Sequence, residues 1–404
     1  MVERTKLAAN IPLFYVYSFL NSFILDRAIW MLFLVSQGFS LTEIALIESA
    51  YHCTIFLLEV PAGYVADRYG KRVSLLMAEV AGIMSSGLLL AGGHASILVA
   101  GFILGGLVGT FRSGATSALI YETLKQLGKE KHFKRYNSQL SAVMLVTLGI
   151  SGVAGGALSD IGWAWVYAGK ILLSALTFAV VYVLTEPLDS AEGAGEGKEA
   201  YSFIKQLRLA YEFGRTNLSF ASLCLYGAVL YSMSWSVAFY SQVVFQSVGL
   251  SNQRIGLVNG LETWLSAAVA AVAFIGERRL GQRGTIVVAG VGFIISLCLF
   301  SMSGDAKSAV ACFFLMAVVI SYLEPLMEAY LNELLPSPIR ATMLSVFSMM
   351  ISVGMMITFS VIGFLADRTN VSTALQEVLI VWVPVCLVCI GWAVKRTGKR
   401  SGSE

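Results

Sequence analysis

The sequence predicts an all-α membrane protein whose twelve transmembrane helices form two six-helix bundles, and three observations lead there. Of 404 residues, 57% are hydrophobic and 38 more are glycine, whereas only 13% are charged and the mean hydropathy is +0.74. Soluble domains are about half apolar and about one quarter charged, and disordered chains are more polar still, so both classes are excluded. Apolar stretches of about 20 residues or more, the length that crosses a bilayer, recur along the chain with short connections. The charges run in phase with them: 22 of the 28 Lys and Arg lie in alternate connections and the termini, three in the other connections and three inside spans. Because basic residues collect on the cytoplasmic side, both termini are expected there.

The first apolar stretch runs from Asn10 to Ser36, lacks a cleavage site and is long enough to cross, so it is expected to stay as a span rather than leave as a signal peptide. Spans follow at 41–66, 73–92, 97–122, 139–160 and 163–185, then at 218–246, 252–275, 285–304, 308–334, 343–366 and 374–394. One long connection separates the two sets. It opens with the flexible stretch Ser190 to Gly197, and Tyr201 to Phe213 then reads as an amphipathic helix on the membrane surface. The expected organisation is an N-terminal bundle over 1–185, a cytoplasmic central loop over 186–217 and a C-terminal bundle over 218–404.

Cys53, Cys224, Cys298, Cys312, Cys386 and Cys389 are scattered through apolar stretches without ligand spacing, so neither disulfides nor a metal are expected, and no cofactor. The net charge of +3 is accounted for by topology and implies no nucleic acid. The halves repeat at an offset of 211, which pairs Gly38 with Gly249, Ser40 with Ser251, Gly70 with Gly281, Arg72 with Arg283, Ala118 with Ala329 and Glu122 with Glu333. Parallel halves of this kind are a transporter architecture, with the substrate held near the midplane.

Glu59-Val-Pro-Ala-Gly63-Tyr-Val-Ala-Asp67-Arg68-Tyr-Gly70-Lys71-Arg72 stands where the second span reaches the cytoplasm. It resembles the major facilitator superfamily signature G-x-L-x-D-R-x-G-R-K, with Val65 for Leu and Lys71-Arg72 for Arg-Lys. Gly63 allows close helix packing, Gly70 a tight turn, and Asp67 can accept from a helix N-terminus and a basic side chain. The resemblance implies that Gly63, Asp67, Arg68, Gly70, Lys71 and Arg72 form a conformational latch. The second copy, Gly276 to Arg283, has Arg278 where Asp67 stands, and Gly363-Phe-Leu-Ala-Asp367-Arg368 is a further echo. Ser151-Gly-Val-Ala-Gly-Gly156 is similar to the G-P-x-x-G-G string of drug-proton antiporters, with Gly152 in place of Pro. The superfamily fold is therefore expected, with spans 1, 4, 7 and 10 lining a cavity.

Charges at membrane depth cost about 2.5 to 3.5 kcal/mol each on insertion scales, so they point to mechanism. Tyr15, Ser22 and Asp26 fall, with Ser18, on one stripe of a continuous first helix, and Arg112 is expected to face Asp26 as its partner. Glu48 and His52 are one turn apart and can trade a proton near neutral pH. Tyr226, Tyr231 and Trp235 on span 7, Glu262 on span 8, and Glu324 and Glu328 on span 10 complete the expected substrate cavity. Proton coupling is assigned to Asp26, Glu48, His52 and Glu324. Glu79 and Lys170 lie nearer span ends and read as structural or snorkelling groups.

With no nucleotide-binding loop present, the sequence reads as a secondary transporter and not an enzyme. Its partners are a small-molecule substrate, the proton and the lipid bilayer, and it is expected to be a monomer in the bacterial plasma (inner) membrane. The expected activity is proton-coupled antiport exporting a drug-like compound or metabolite. Symport importing a sugar or organic acid is the alternative, and a channel or non-transporting receptor is the alternative from another class.

Overall fold

A computed structural model of the chain describes residues 2–187, 212–336 and 339–397. The described residues are helical without strand. The helices are α1 (Val2–Asn21), α2 (Trp30–Ser36), α3 (Leu41–Tyr69), α4 (Lys71–Ala91), α5 (Ala95–Arg112), α6 (Ala115–Gln126), α7 (Phe133–Ile161), α8 (Trp163–Val183), α9 (Leu218–Ser247), α10 (Asn252–Ser301), α11 (Ala306–Leu334), α12 (Arg340–Ala366) and α13 (Val371–Thr397). The surface helix expected over Tyr201–Phe213 lies outside the described residues except for its last two.

Ten helical segments are long and apolar enough to cross a membrane. One of them is all of α10, which breaks at Gly281 (φ +66°) between the expected spans 252–275 and 285–304, and another joins α5 to α6 across Gly114 (φ +71°). The first span is the one that departs from expectation. It is not a continuous helix: α1 stops at Asn21 and helix resumes at Trp30, leaving Asp26 in irregular backbone. Irregular backbone survives at membrane depth only where protein covers it, and Leu25, Asp26 and Ala28 are all buried. A Cβ on Gly155 of α7 would overlap the Leu25 carbonyl, so the missing side chain there makes room for the break. With ten such segments and a broken first span, the chain is consistent with twelve crossings.

The described helices fall into two compact units. Unit 1 comprises Met1–Trp30, Leu46–Gly197 and Ser251–Gly260. Within it α4 packs on α5 and α8, and α1 packs on α7 and α8. Phe14, Tyr17, Leu75, Leu119, Leu124, Leu140 and Val181 form a buried cluster there. The start of α10 lies close against α7, where Gly152 and Gly156 meet Gly256 and Gly260 without intervening side chains. The Ser151–Gly156 string thus serves backbone-to-backbone packing.

Unit 2 comprises Met31–Ala45, Lys198–Leu250 and Leu261–Glu404. Here α9 packs on α11, α12 and α13. Aromatic rings fill the contacts, among them Phe245 against Phe313 and Tyr240 against Phe359 with centroids 5.2 and 4.6 Å apart.

The repeat is visible in local geometry. Gly38 and Gly249 take φ of +88° and +86°, and the hydroxyls two residues on accept equivalent bonds, Ser40 from the Glu43 amide and Ser251 from the Arg254 amide. Ser40 and Glu43 close a capping box, since the Glu43 carboxylate accepts from the Ser40 amide at 2.8 Å. Remote acids cap both helices as well. In unit 2, Asp367 accepts from the amides of Leu41 and Thr42 at 2.8 and 2.9 Å and from the Thr42 hydroxyl; in unit 1, Asp160 accepts from the Gln253 amide at 3.2 Å. Partial burial raises the Asp367 pKa, but the bonds from Thr42 and Leu41 outweigh it and hold the carboxyl below its ordinary value.

Candidate functional site

The paired charges of unit 1 are placed by five helices, α3, α4, α5, α6 and α8, and by the break after α1. Asp26 does not meet Arg112, and this corrects the expected pair. Its Oδ2 lies 2.5 Å from Lys170 Nζ on α8, while Arg112 at the end of α5 reaches Glu79 on α4, with Nη2 2.7 Å and Nε 3.2 Å from the same oxygen. The physical reason is the break: once the helix ends at Asn21, the stripe through Tyr15, Ser18 and Ser22 no longer extends to Asp26. Tyr15 and Ser18 instead donate to Gln139 and to the Leu140 carbonyl of α7, and Ser22 is buried. Glu79 and Lys170, read from sequence as structural groups, are therefore the partners of the two charges that reasoning singled out.

Glu48 and His52 do stand together. Their side chains approach to 3.3 Å, inside ion-pair range but without hydrogen-bond alignment at Nε2. Both sit in unit 1 on α3, one turn apart, so the proximity follows from sequence spacing alone.

The signature loop is held chiefly by its basic end. Gly70 (φ +100°) ends one helix and lets α4 begin at Lys71, and Glu186 caps that start by accepting from the Lys71 and Arg72 amides, each at 2.8 Å. The Arg72 guanidinium donates to the carbonyls of Val181 and Tyr182 at the end of α8, and Lys71 Nζ lies 3.2 Å from Glu122. Glu186 thus fills the capping role foreseen for Asp67, which is exposed, as is Gly63; Arg68 is exposed too and bonds Tyr64. Glu186 could have been sought in the sequence as an acid close after a span end.

Unit 2 holds the remaining expected residues. Tyr226 is wholly buried and donates to the Ile286 carbonyl, so it belongs to the core of that unit. Tyr231 is buried without a hydrogen-bond partner for its hydroxyl among the described residues, and Trp235 one turn on is exposed. Glu262 on α10 accepts from Ser266 at 2.7 Å. Glu324 and Glu328, one turn apart on α11, are both accessible, and Glu324 lies within electrostatic reach of Glu328, Glu262 and Tyr231. Beside Tyr231 a cavity of about 400 Å³ opens between α9 and α12, walled by apolar side chains with the Ser232 hydroxyl among them. Among the described residues no group of His, Cys, Asp and Glu has the arrangement of a metal site.

Multiple spans, ion pairs at membrane depth and a signature loop tied between helix ends define a membrane transporter. The profile of the Major Facilitator Superfamily matches residues 13–273 and 223–404, and the chain belongs to that family. It is similar to the MFS-type transporter YxaM of Bacillus subtilis, with 18% identity over 94% of this chain and 95% of the relative. It is also similar to the facilitated glucose transporter member 10 of solute carrier family 2 from Xenopus laevis, with 23% identity over 67% of this chain and 54% of the relative. Among solved structures, the nucleoside transporter NupG superimposes with a TM-score of 0.77 at 14% identity over 99% of this chain and all of the other. A D-xylose-proton symporter does so with 0.70 at 13% over 98% and 99%. Membership of the family makes the chain a transporter rather than an enzyme, and the solved structures show its fold.

Proposed function

We propose that the protein is a proton-coupled antiporter that exports a small organic molecule by alternating access, working as a monomer in the bacterial plasma membrane with both termini in the cytoplasm and the halves 1–185 and 218–404 joined by 186–217. The observation that carries the reading is the contrast in charge. Asp26, Glu48, Glu79 and Glu122 of unit 1 each meet a basic partner, whereas Glu324 and Glu328 of unit 2 meet none among the described residues. A carboxylate left so at membrane depth needs a proton or a positively charged ligand, and exchange of one for the other is antiport. Glu48 with His52 is a second coupling candidate, and Gly63–Arg72 is the latch.

The test is one of sign. Purified protein in proteoliposomes loaded with a pH dye is given candidate organic molecules from outside. Antiport drives protons outward as the substrate enters, so the lumen turns alkaline, and Glu324→Gln abolishes the signal. Acidification of the lumen would establish instead the symport reading, in which a sugar or organic acid enters with protons. Flux that does not saturate would point to a channel.

A further inference from the structure

Lys125, Lys129, Lys131, Lys134 and Arg135 fall within the stretch 125–135, in the connection from α6 to α7 and the helix turns beside it, with Glu130 as the sole acid among them. All five are exposed, and none makes an ion pair or a side-chain hydrogen bond among the described residues. Two cations of the signature loop differ, because Lys71 pairs with Glu122 and Arg72 bonds the carbonyls that end α8. Topology alone does not call for so many. At the offset of 211 the equivalent stretch, 336–346, holds a single cation, Arg340, and that one bonds the Leu335 carbonyl. Helix stability does not call for them either. Lys134 and Arg135 stand in the first turn of α7, where the helix dipole disfavours cations, and the N-cap His132 makes no side-chain cap.

Depth identifies the occupant. With 29 residues, α7 is about 43 Å long, against about 30 Å for the hydrocarbon of a bilayer and about 40 to 45 Å with its headgroup layers. Its apolar run starts near residue 139, so 133–138 project beyond the hydrocarbon and the five cations lie at the level of the headgroups. Tyr121, exposed and one turn before Lys125, meets Phe133 edge-on with centroids 5.4 Å apart, as suits the level where hydrocarbon gives way to headgroups. A dense patch of uncompensated cations there is complementary to phosphate groups that carry net negative charge.

We propose that the connection between α6 and α7 is a docking surface for the anionic headgroups of bilayer lipids. Such binding is independent of the direction of transport, so it goes beyond the antiport reading and survives that reading's failure. A zwitterionic headgroup offers the same phosphate with its charge cancelled and should bind weakly.

The experiment is native mass spectrometry of the purified full-length protein in detergent, titrated with phosphatidylglycerol and with phosphatidylcholine of identical acyl chains. The expected result is saturable binding of phosphatidylglycerol, at least about tenfold tighter than phosphatidylcholine and weakened by added salt. Each cation at an anionic membrane surface contributes about fivefold in affinity. The triple variant Lys129→Gln, Lys131→Gln, Lys134→Gln, in which every replaced side chain is exposed, should therefore bind phosphatidylglycerol at least about tenfold more weakly. The double variant Arg278→Gln, Arg279→Gln, which removes two exposed cations beside the Gly281 break, should bind it as the wild type does. Equal binding of the two lipids, or unaltered binding by the triple variant, overturns the proposal. An equal loss in the double variant also overturns it, because charge anywhere on the surface would then suffice. Displacement of the lipid by millimolar inorganic phosphate would make a soluble anion the occupant and overturn it too. The wild-type comparison of the two lipids decides even if a variant fails to fold.

Discussion

Glu79 is wholly buried and the Arg112 side chain is 21% exposed, which makes their pair the clearest energetic test of unit 1. Both guanidinium contacts fall on one carboxylate oxygen, at 2.7 and 3.2 Å, and the other oxygen has no hydrogen-bond partner among the described residues. Removing one member of a buried pair costs about 3 to 5 kcal/mol, because the survivor stays buried and uncompensated. Partial exposure of Arg112 argues for the lower end, so Glu79→Gln and Arg112→Gln should each lose about 3 kcal/mol. The double variant leaves no orphaned charge and should lose well under the roughly 3 kcal/mol of either single change, where independent sites would lose about 6. Denaturant unfolding of the purified protein at pH 7, followed by tryptophan fluorescence, measures all three. Additive losses in the double variant would refute the pairing as an energetic unit. Arg112→Lys should recover part of the loss, since it restores charge without the planar fork.

Further expectations concern the caps, the break and the loop. Asp367→Ala should cost about 1 kcal/mol, the usual worth of an N-cap, measured by thermal unfolding. The pKa of Asp367 is depressed in the fold, so the cap contributes fully above the unfolded value of about 3.9 and is lost as pH falls through the lower folded value. The melting temperatures of wild type and Asp367→Ala should therefore differ at neutral pH and converge on acidification. Gly155→Ala should prevent accumulation of folded protein, because its methyl would overlap the Leu25 carbonyl; normal expression with an unchanged size-exclusion profile would show that the break can shift. Asp67→Asn should leave stability unchanged, since Asp67 is exposed, while Glu186→Gln lowers it by weakening two charged caps at α4; the reverse order in a melting experiment would contradict this.

Much of the fold was legible because it depends on length, periodicity and glycine. Span positions follow from apolar runs, and the offset of 211 returns as matching turns at Gly38 and Gly249. The pairing of charges was not legible, because partners far apart in sequence meet only through helix rotation and local breaks. A helical wheel carried Asp26 onto the face of Tyr15, yet nothing in the first apolar stretch signals that helix ends at Asn21; the room for that break is supplied by Gly155, more than a hundred residues away. Lys170 carried the one usable hint. With Arg27 and Arg112 it was one of three basic residues inside spans, and a cation at that depth calls for an acid. Glu48 with His52 was found because both stand on one helix.

The repeat conserves backbone geometry and abandons the charges at membrane depth. At the offset of 211, Asp26 corresponds to Val237, Glu79 to Gly290, Arg112 to Leu323 and Lys170 to Val381; in the other direction Glu324 corresponds to Ser113 and Glu328 to Ser117. Turn glycines must match, because φ near +88° at Gly38 and +86° at Gly249 is open to few other residues. Membrane-depth charges carry no such backbone requirement. They are kept where they are compensated or where they act. In unit 1, Lys170 and Arg112 compensate Asp26 and Glu79, and neutral pairs of that kind hold helices together without attracting a ligand. Among the described residues, no Lys or Arg of unit 2 pairs with Glu324 or Glu328.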